Sequence, residues 1–138
     1  MAIWARRRAA HVEVSDELRR AAPAFRSTVE AVEGAKAALA SAAPRGRSVG
    51  TPLAEALAGF EDGVRRARSL LPSWRVPEVA GEWEECRGAL EQSADRAERL
   101  RLEKTPDGYE ELYRELGDII EPLDAFAGAL GAFSRLGL

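Results

Sequence analysis

The chain has a single cysteine, Cys86, so no disulfide can form within it. That excludes the stapled secreted scaffolds and makes a reducing cytoplasm the expected compartment. It has one histidine, His11. A lone histidine rules out the paired Glu-x-x-His motifs of di-iron bundles and leaves little for a histidine-based triad. No apolar run approaches the length of about 20 residues that a membrane span needs. Arg6, Arg7 and Arg8 near the start are followed by no apolar core of the kind a secretory signal carries. β-branched residues are sparse and never alternate over a strand-length run. Neither a glycine-rich phosphate loop nor a zinc-spaced ligand cluster is present.

What the chain does have is alanine, leucine, arginine and glutamate, all good helix formers. Its 138 residues fit one domain. Much of the apolar content is alanine, which buries little area but allows helices to approach closely. The core therefore rests on a modest set of larger side chains.

Those side chains recur at helical spacing. A first helix is expected from near Ser15, with Asp16 and Glu17 complementing the dipole of its first turn. Leu18, Phe25, Val32 and Leu39 form its seam, and Ala22, Val29 and Ala43 the neighbouring stripe. Pro23 lies inside and predicts a kink or a restart; Pro44 marks the end. Thr51-Pro52 reads as N-cap and first residue of a second helix, with Leu53, Leu57, Phe60, Val64, Ala67 and Leu71 as its seam. Pro72 ends it, and Pro77 opens a third helix with Val79, Trp83, Cys86, Leu90, Ala97 and Leu100 inward. Thr105-Pro106 repeats the capping pair before a fourth helix. Its seam runs through Tyr109, Leu112, Tyr113, Leu116, Ile119, Ile120, Leu123, Phe126, Leu130 and Phe133, with a kink at Pro122. The expected architecture is all-α: an antiparallel up-down four-helix bundle over residues 15–138, kinked near Pro23 and Pro122, preceded by a basic arm at residues 1–14.

Charge is unevenly placed. Residues 1–76 carry 13 basic and 8 acidic side chains, and residues 77–138 carry 7 and 15. A net charge of −3 argues against nucleic acid as the main partner. The polarity favours docking of the first hairpin on the second, within or between chains. Arg65, Arg66 and Arg68, with Arg45 and Arg47, form a candidate basic patch, but no aromatic side chains interleave with them to stack bases.

The most informative stretch is 125–133, which has no polar or charged side chain. An outer helix of a monomeric bundle should show water a polar face. The expectation is that Phe126, Leu130 and Phe133, with Gly128, Ala129 and Ala132, form an interface with a second copy or a partner helix. On that reading the chain is a non-enzymatic interaction or oligomerisation domain of unassigned pathway.

The alternative comes from the carboxylates. Glu115-Leu-Gly-Asp118-Ile-Ile resembles the E-x-x-D helix of the MazG-like nucleotide pyrophosphohydrolases, an all-helical family in which paired acidic helices hold magnesium. The resemblance implies that Glu82, Glu85, Glu115 and Asp118 would bind Mg²⁺ for pyrophosphate release from a nucleoside triphosphate. It covers parts of the last two helices, and Gly81 stands where the family has its first glutamate. Helical spacing places Glu82 and Glu115 roughly 70° from their apolar seams and Glu85 and Asp118 roughly 130° away. Arg6 and His11 show the R-x4-H spacing of HEPN-type ribonucleases, within the arm. Cys86 is expected to act as a small hydrophobe, Trp83 as a core anchor and Trp74 as a cap on the bundle end. A small-molecule cavity between Trp83, Tyr109 and Tyr113 is a further option.

Overall fold

The computed structural model describes residues 14–44 and 49–138, and among these every regular element is helical. Four helical rods follow one another. Helix α1 spans Asp16–Ala40 and α2 spans Leu53–Leu70; a 3-10 turn at Leu71–Trp74 and another at Pro77–Val79 lead into α3, Ala80–Leu102. The last rod is in two pieces: α4, Tyr109–Ile120, and α5, Ala125–Arg135, joined by a 3-10 turn at Glu121–Asp124.

Helix α1 starts as its sequence dictates. The Ser15 hydroxyl oxygen accepts the Leu18 amide at 3.1 Å, and Asp16 and Glu17 sit in the first turn. The helix continues through Pro23, which stands on its exposed face, without the expected restart. The proline removes one amide donor, and the carbonyl it frees lies on the solvent side. Leu18, Phe25, Val32 and Leu39 are all buried.

The two Thr-Pro pairs do not cap. Helix α2 begins at Leu53 without a side-chain cap, and the Thr51 amide instead donates to the Ser41 carbonyl at 2.8 Å, closing the loop. Gly50 is needed there, because a Cβ on it would overlap the Ala42 carbonyl. Helix α4 begins later than expected, at Tyr109, behind Gly108 rather than Thr105.

Helices α1 and α2 approach closely through small residues. Ala31, Ala35 and Ala38 face Gly59 and Gly63; a Cβ on Gly63 would stand 2.6 Å from the Ala35 Cβ and 2.9 Å from its Cα. At the far end of this pair, Trp74 and Phe25 meet edge to face at 4.9 Å, and Phe133 of α5 stacks on Phe25 at 4.3 Å. Full burial of such rings contributes roughly 1.5–3 kcal/mol each, so this three-ring cluster anchors the first, second and last rods together. The Trp83 indole donates to the Leu71 carbonyl at 2.8 Å, tying the start of α3 to the end of α2. The Arg75 guanidinium lies 4.7 Å over the Trp83 ring.

The break between α4 and α5 has a cause and a remedy. Pro122 has no amide to offer the Asp118 carbonyl four residues back. The Arg96 guanidinium on α3 donates to that carbonyl instead, and the buried Ser93 hydroxyl donates to the adjacent Ile119 carbonyl. Further along α3, the Cys86 thiol points at the Ala125 carbonyl, 3.6 Å away. One face of α3 thus supplies donors along the joint.

Candidate interaction groove

The apolar stretch at residues 125–133 is mostly the chain's own core. Phe126, Ala129, Ala132 and Phe133 are buried against the rest of the fold. Of the six residues expected at an interface, only Leu130, 46% exposed, and Gly128 remain on the surface. The correction has a simple reason. The turn at Pro122 lays α5 against α3 and brings Phe133 onto Phe25, so the helix needs no second chain to cover its large side chains.

The four carboxylates of the magnesium alternative are not brought together. Glu115 and Asp118 line a cleft with Arg96, Arg99 and Glu103, near the C-terminal end of α3. Glu85 and Arg96 are separated by about 16 Å along α3 at 1.5 Å per residue, so Glu82 and Glu85 lie well outside that cleft. Among the described residues no three metal-ligating side chains converge. The angular reading itself holds: Glu82 and Glu115 are half-buried, and Glu85 and Asp118 are exposed.

The remaining candidates resolve in the same way. The arginines of α2 are interleaved with carboxylates. Arg65 pairs with Asp62 at 2.8 Å, and Arg68 grips Glu91 of α3 through two nitrogens at 2.9 and 3.2 Å. Arg45, Arg47, Arg6 and His11 lie outside the described residues. Trp83 sits at the start of α3, whereas the Tyr113 hydroxyl bonds to the Pro44 carbonyl at the other end of α1; Tyr109 and Tyr113 are exposed. Those three rings therefore enclose no common cavity. Cys86 is fully buried, and desolvation, with Glu85 and Glu82 nearby, pushes its thiol up to about 12.

What the structure does assemble is a groove that the sequence reading assigned to the core. Its walls are Ala40 and Ala43 from the C-terminal end of α1 and Tyr113, Gly117 and Ile120 from α4, with buried Leu116 as floor. The alanines keep the α1 wall low, and Gly117 leaves open space on α4. The Tyr113 hydroxyl donates to the Pro44 carbonyl at 2.9 Å, which fixes the two walls relative to each other. Past Ala40 and Ala43 the apolar surface continues to Ala37, Gly50 and Val49, whose side chain is almost wholly exposed.

Helix α4 and the turn after it are acidic, but Glu115, Asp118 and Glu121 line the cleft beside Arg96 and Arg99 of α3 and not this groove. From Tyr109 to Asp124 the chain carries Glu110, Glu111, Glu115, Asp118, Glu121 and Asp124 against one basic residue, Arg114. None of the six carboxylates makes an ion pair among the described residues. On α3, by contrast, Glu84, Glu91 and Glu98 each have an arginine partner. Neither α1 nor α4 has a basic side chain in its last turn to offset the negative end of its dipole.

The sequence signal for the groove was present but ambiguous. Tyr113 and Ile120 do continue the seam of α4, yet a tyrosine is amphipathic and reads the same whether its ring is covered or edges a cleft. Comparison with protein-family models, with curated proteins and with solved structures finds no match to this chain.

Proposed function

We propose that this chain is a non-enzymatic, self-associating helical interaction domain, and that its docking surface is the groove between the C-terminal end of α1 and α4. One observation carries the reading: an apolar cleft, lined by Ala40, Ala43, Tyr113, Gly117 and Ile120 over Leu116, stands open to solvent. Burial of apolar side chains there is the driving force. The framework that presents the groove is an antiparallel up-down four-helix bundle. The reverse-order pairing of Ala38 with Gly59 and Ala35 with Gly63 supports that reading for its first hairpin. A cytoplasmic setting suits a chain whose one thiol is reduced and buried.

Gly117→Arg tests the proposal. A Cβ at this position meets nothing within 4 Å, so the variant keeps the fold while filling the groove with a bulky cation. Light scattering coupled to size exclusion is expected to give twice the chain mass for the unaltered protein. The variant is expected at the monomer mass with the same helical circular dichroism. An unaltered chain that stays monomeric at every concentration, or a variant that self-associates normally, overturns the proposal.

A further inference from the structure

We infer that the N-terminal half of α4, residues 109–115, is a strap that opens away from α1 as a unit. The Tyr113 hydroxyl is its latch, and the contacts of α3 at Asp118 and Ile119 are its fixed root. The strap belongs to the chain's own fold and does not depend on what the groove receives.

Helix α4 is held along one narrow stripe. At about 100° per residue, Leu112, Leu116 and Ile119 share a face. Leu116 and Ile119 are the side chains of α4 that are buried. An open cleft lies on each side of that stripe. Tyr113, Gly117 and Ile120 edge the groove against α1. Glu115 and Asp118, on the opposite side of the helix, edge the polar cleft against α3. Both flanks are therefore thinly packed, and the helix gains little of the apolar burial that holds its neighbours. Helix α3, by contrast, buries Trp83, Cys86, Leu90, Ala97 and Leu100.

The two ends of α4 are held unequally. At the C-terminal end the Arg96 guanidinium and the Ser93 hydroxyl donate to the Asp118 and Ile119 carbonyls. At the N-terminal end Tyr109, Glu110, Glu111, Tyr113 and Arg114 are exposed, and Leu112 is half-buried. Gly108 precedes the helix and has no side chain to cap it. Residues 103–108, which lead into it, are exposed apart from the half-buried Pro106. Among the described residues no ion pair ties 109–115 to another element. The link from this half to α1 is the Tyr113 hydroxyl, which donates to the Pro44 carbonyl at 2.9 Å. A segment with few buried apolar contacts opens locally at a lower free energy than the whole fold.

Opening has a defined consequence. When the latch parts, the first turns of α4 unwind back towards Leu116, and the Tyr113 ring leaves the lip of the groove. Gly117 and Ile120 stay with the root. The groove then widens over Leu116, so Tyr113 sets how far it stands open.

Amide hydrogen exchange on the full chain tests the inference, with rates extrapolated to infinite dilution so that self-association does not enter. The amides of residues 112–115 are expected to exchange at least about tenfold faster than those of α3, through an opening that low urea does not accelerate. Tyr113→Phe keeps the ring and removes the hydroxyl. It is expected to speed exchange at residues 112–115 by about twofold to tenfold, the effect of one lost hydrogen bond. Exchange in α1 and α3 and the urea midpoint are expected to stay where they are. If residues 112–115 exchange as slowly as α3, and only with global unfolding, there is no strap. If Tyr113→Phe leaves their rate unchanged, or speeds exchange across the whole molecule, Tyr113 is not a latch and the inference falls.

Discussion

Phe133 stacks on Phe25 with ring centroids 4.3 Å apart and planes inclined by 11°. One ring belongs to the last helix and the other to the first, and the Trp74 ring meets both edge-on. The contact decides what the apolar C-terminal helix is for. Phe126 and Phe133 close the core, and Leu130 is the large side chain it leaves on the surface.

Truncating that contact should therefore unfold the chain instead of separating two copies. Phe133→Ala is expected to cost about 3–5 kcal/mol, read as a lower denaturant midpoint. Leu130→Glu, on the outer face of the same helix, should stay within about 1 kcal/mol of the unaltered chain. It should also leave the mass in solution unchanged. A Leu130→Glu variant that dissociates without unfolding would return the interface to α5.

The close approach of α1 and α2 makes two glycines behave oppositely. Gly63→Ala places a Cβ 2.6 Å from the Ala35 Cβ and 2.9 Å from its Cα, which is backbone and does not yield easily. Overpacking of this kind costs about 1–3 kcal/mol and should outweigh the helix-propensity gain of about 1 kcal/mol. Gly117→Ala has open space around it and should keep that gain. Paired urea titrations give the sign at each position. A stabilising Gly63→Ala would mean that the two helices stand further apart.

Ser93 is fully buried and donates to the Ile119 carbonyl at the α4–α5 joint. Ser93→Ala leaves that carbonyl without its donor and is expected to cost about 1–3 kcal/mol. Amide hydrogen exchange should show the loss most strongly around residues 119–125. Uniform loosening across the molecule would instead mark Ser93 as a packing residue only.

Cys86 should be inert to alkylation in the folded chain. Its thiol is buried, and its pKa rises from an ordinary 9.0 to about 12 through desolvation first and the charges of Glu85 and Glu82 second. The sign for stability follows. Below about pH 9 the thiol is neutral in both the folded and the unfolded chain and has no effect. Above it the unfolded chain ionises while the folded one does not, so stability falls progressively towards pH 12. Iodoacetamide labelling near pH 8 should track unfolding by denaturant, and Cys86→Ala should flatten part of the alkaline decline. Rapid labelling without denaturant contradicts this account.

Much of the fold was legible because it depends on periodicity. The seams of the first three helices, read at seven-residue and three-to-four-residue spacing, are buried almost throughout, and Ser15 caps where its side chain allows. The Thr-Pro pairs misled because a cap depends on where the chain is held: Thr51 is committed to Ser41. The apolar C-terminal helix misled for a different reason. Its lack of polar residues shows that it is covered, but only the turn at Pro122 shows by what. The groove was the least legible feature. The packing of α4 beside the end of α1 creates it, and Tyr113 and Ile120 look the same in sequence whether a neighbour stands over them or not.

The joint at Pro122 has one more consequence. Its carbonyls are served by side chains of α3, through Arg96 and Ser93, so the angle between α4 and α5 is set by a third element. Helix α3 acts as a splint across a fracture. Asp118 and Ile119, which it holds, adjoin Gly117 and Ile120 in the groove wall. A rigid splint means that the wall arrives already shaped, and an occupant has little of it left to order.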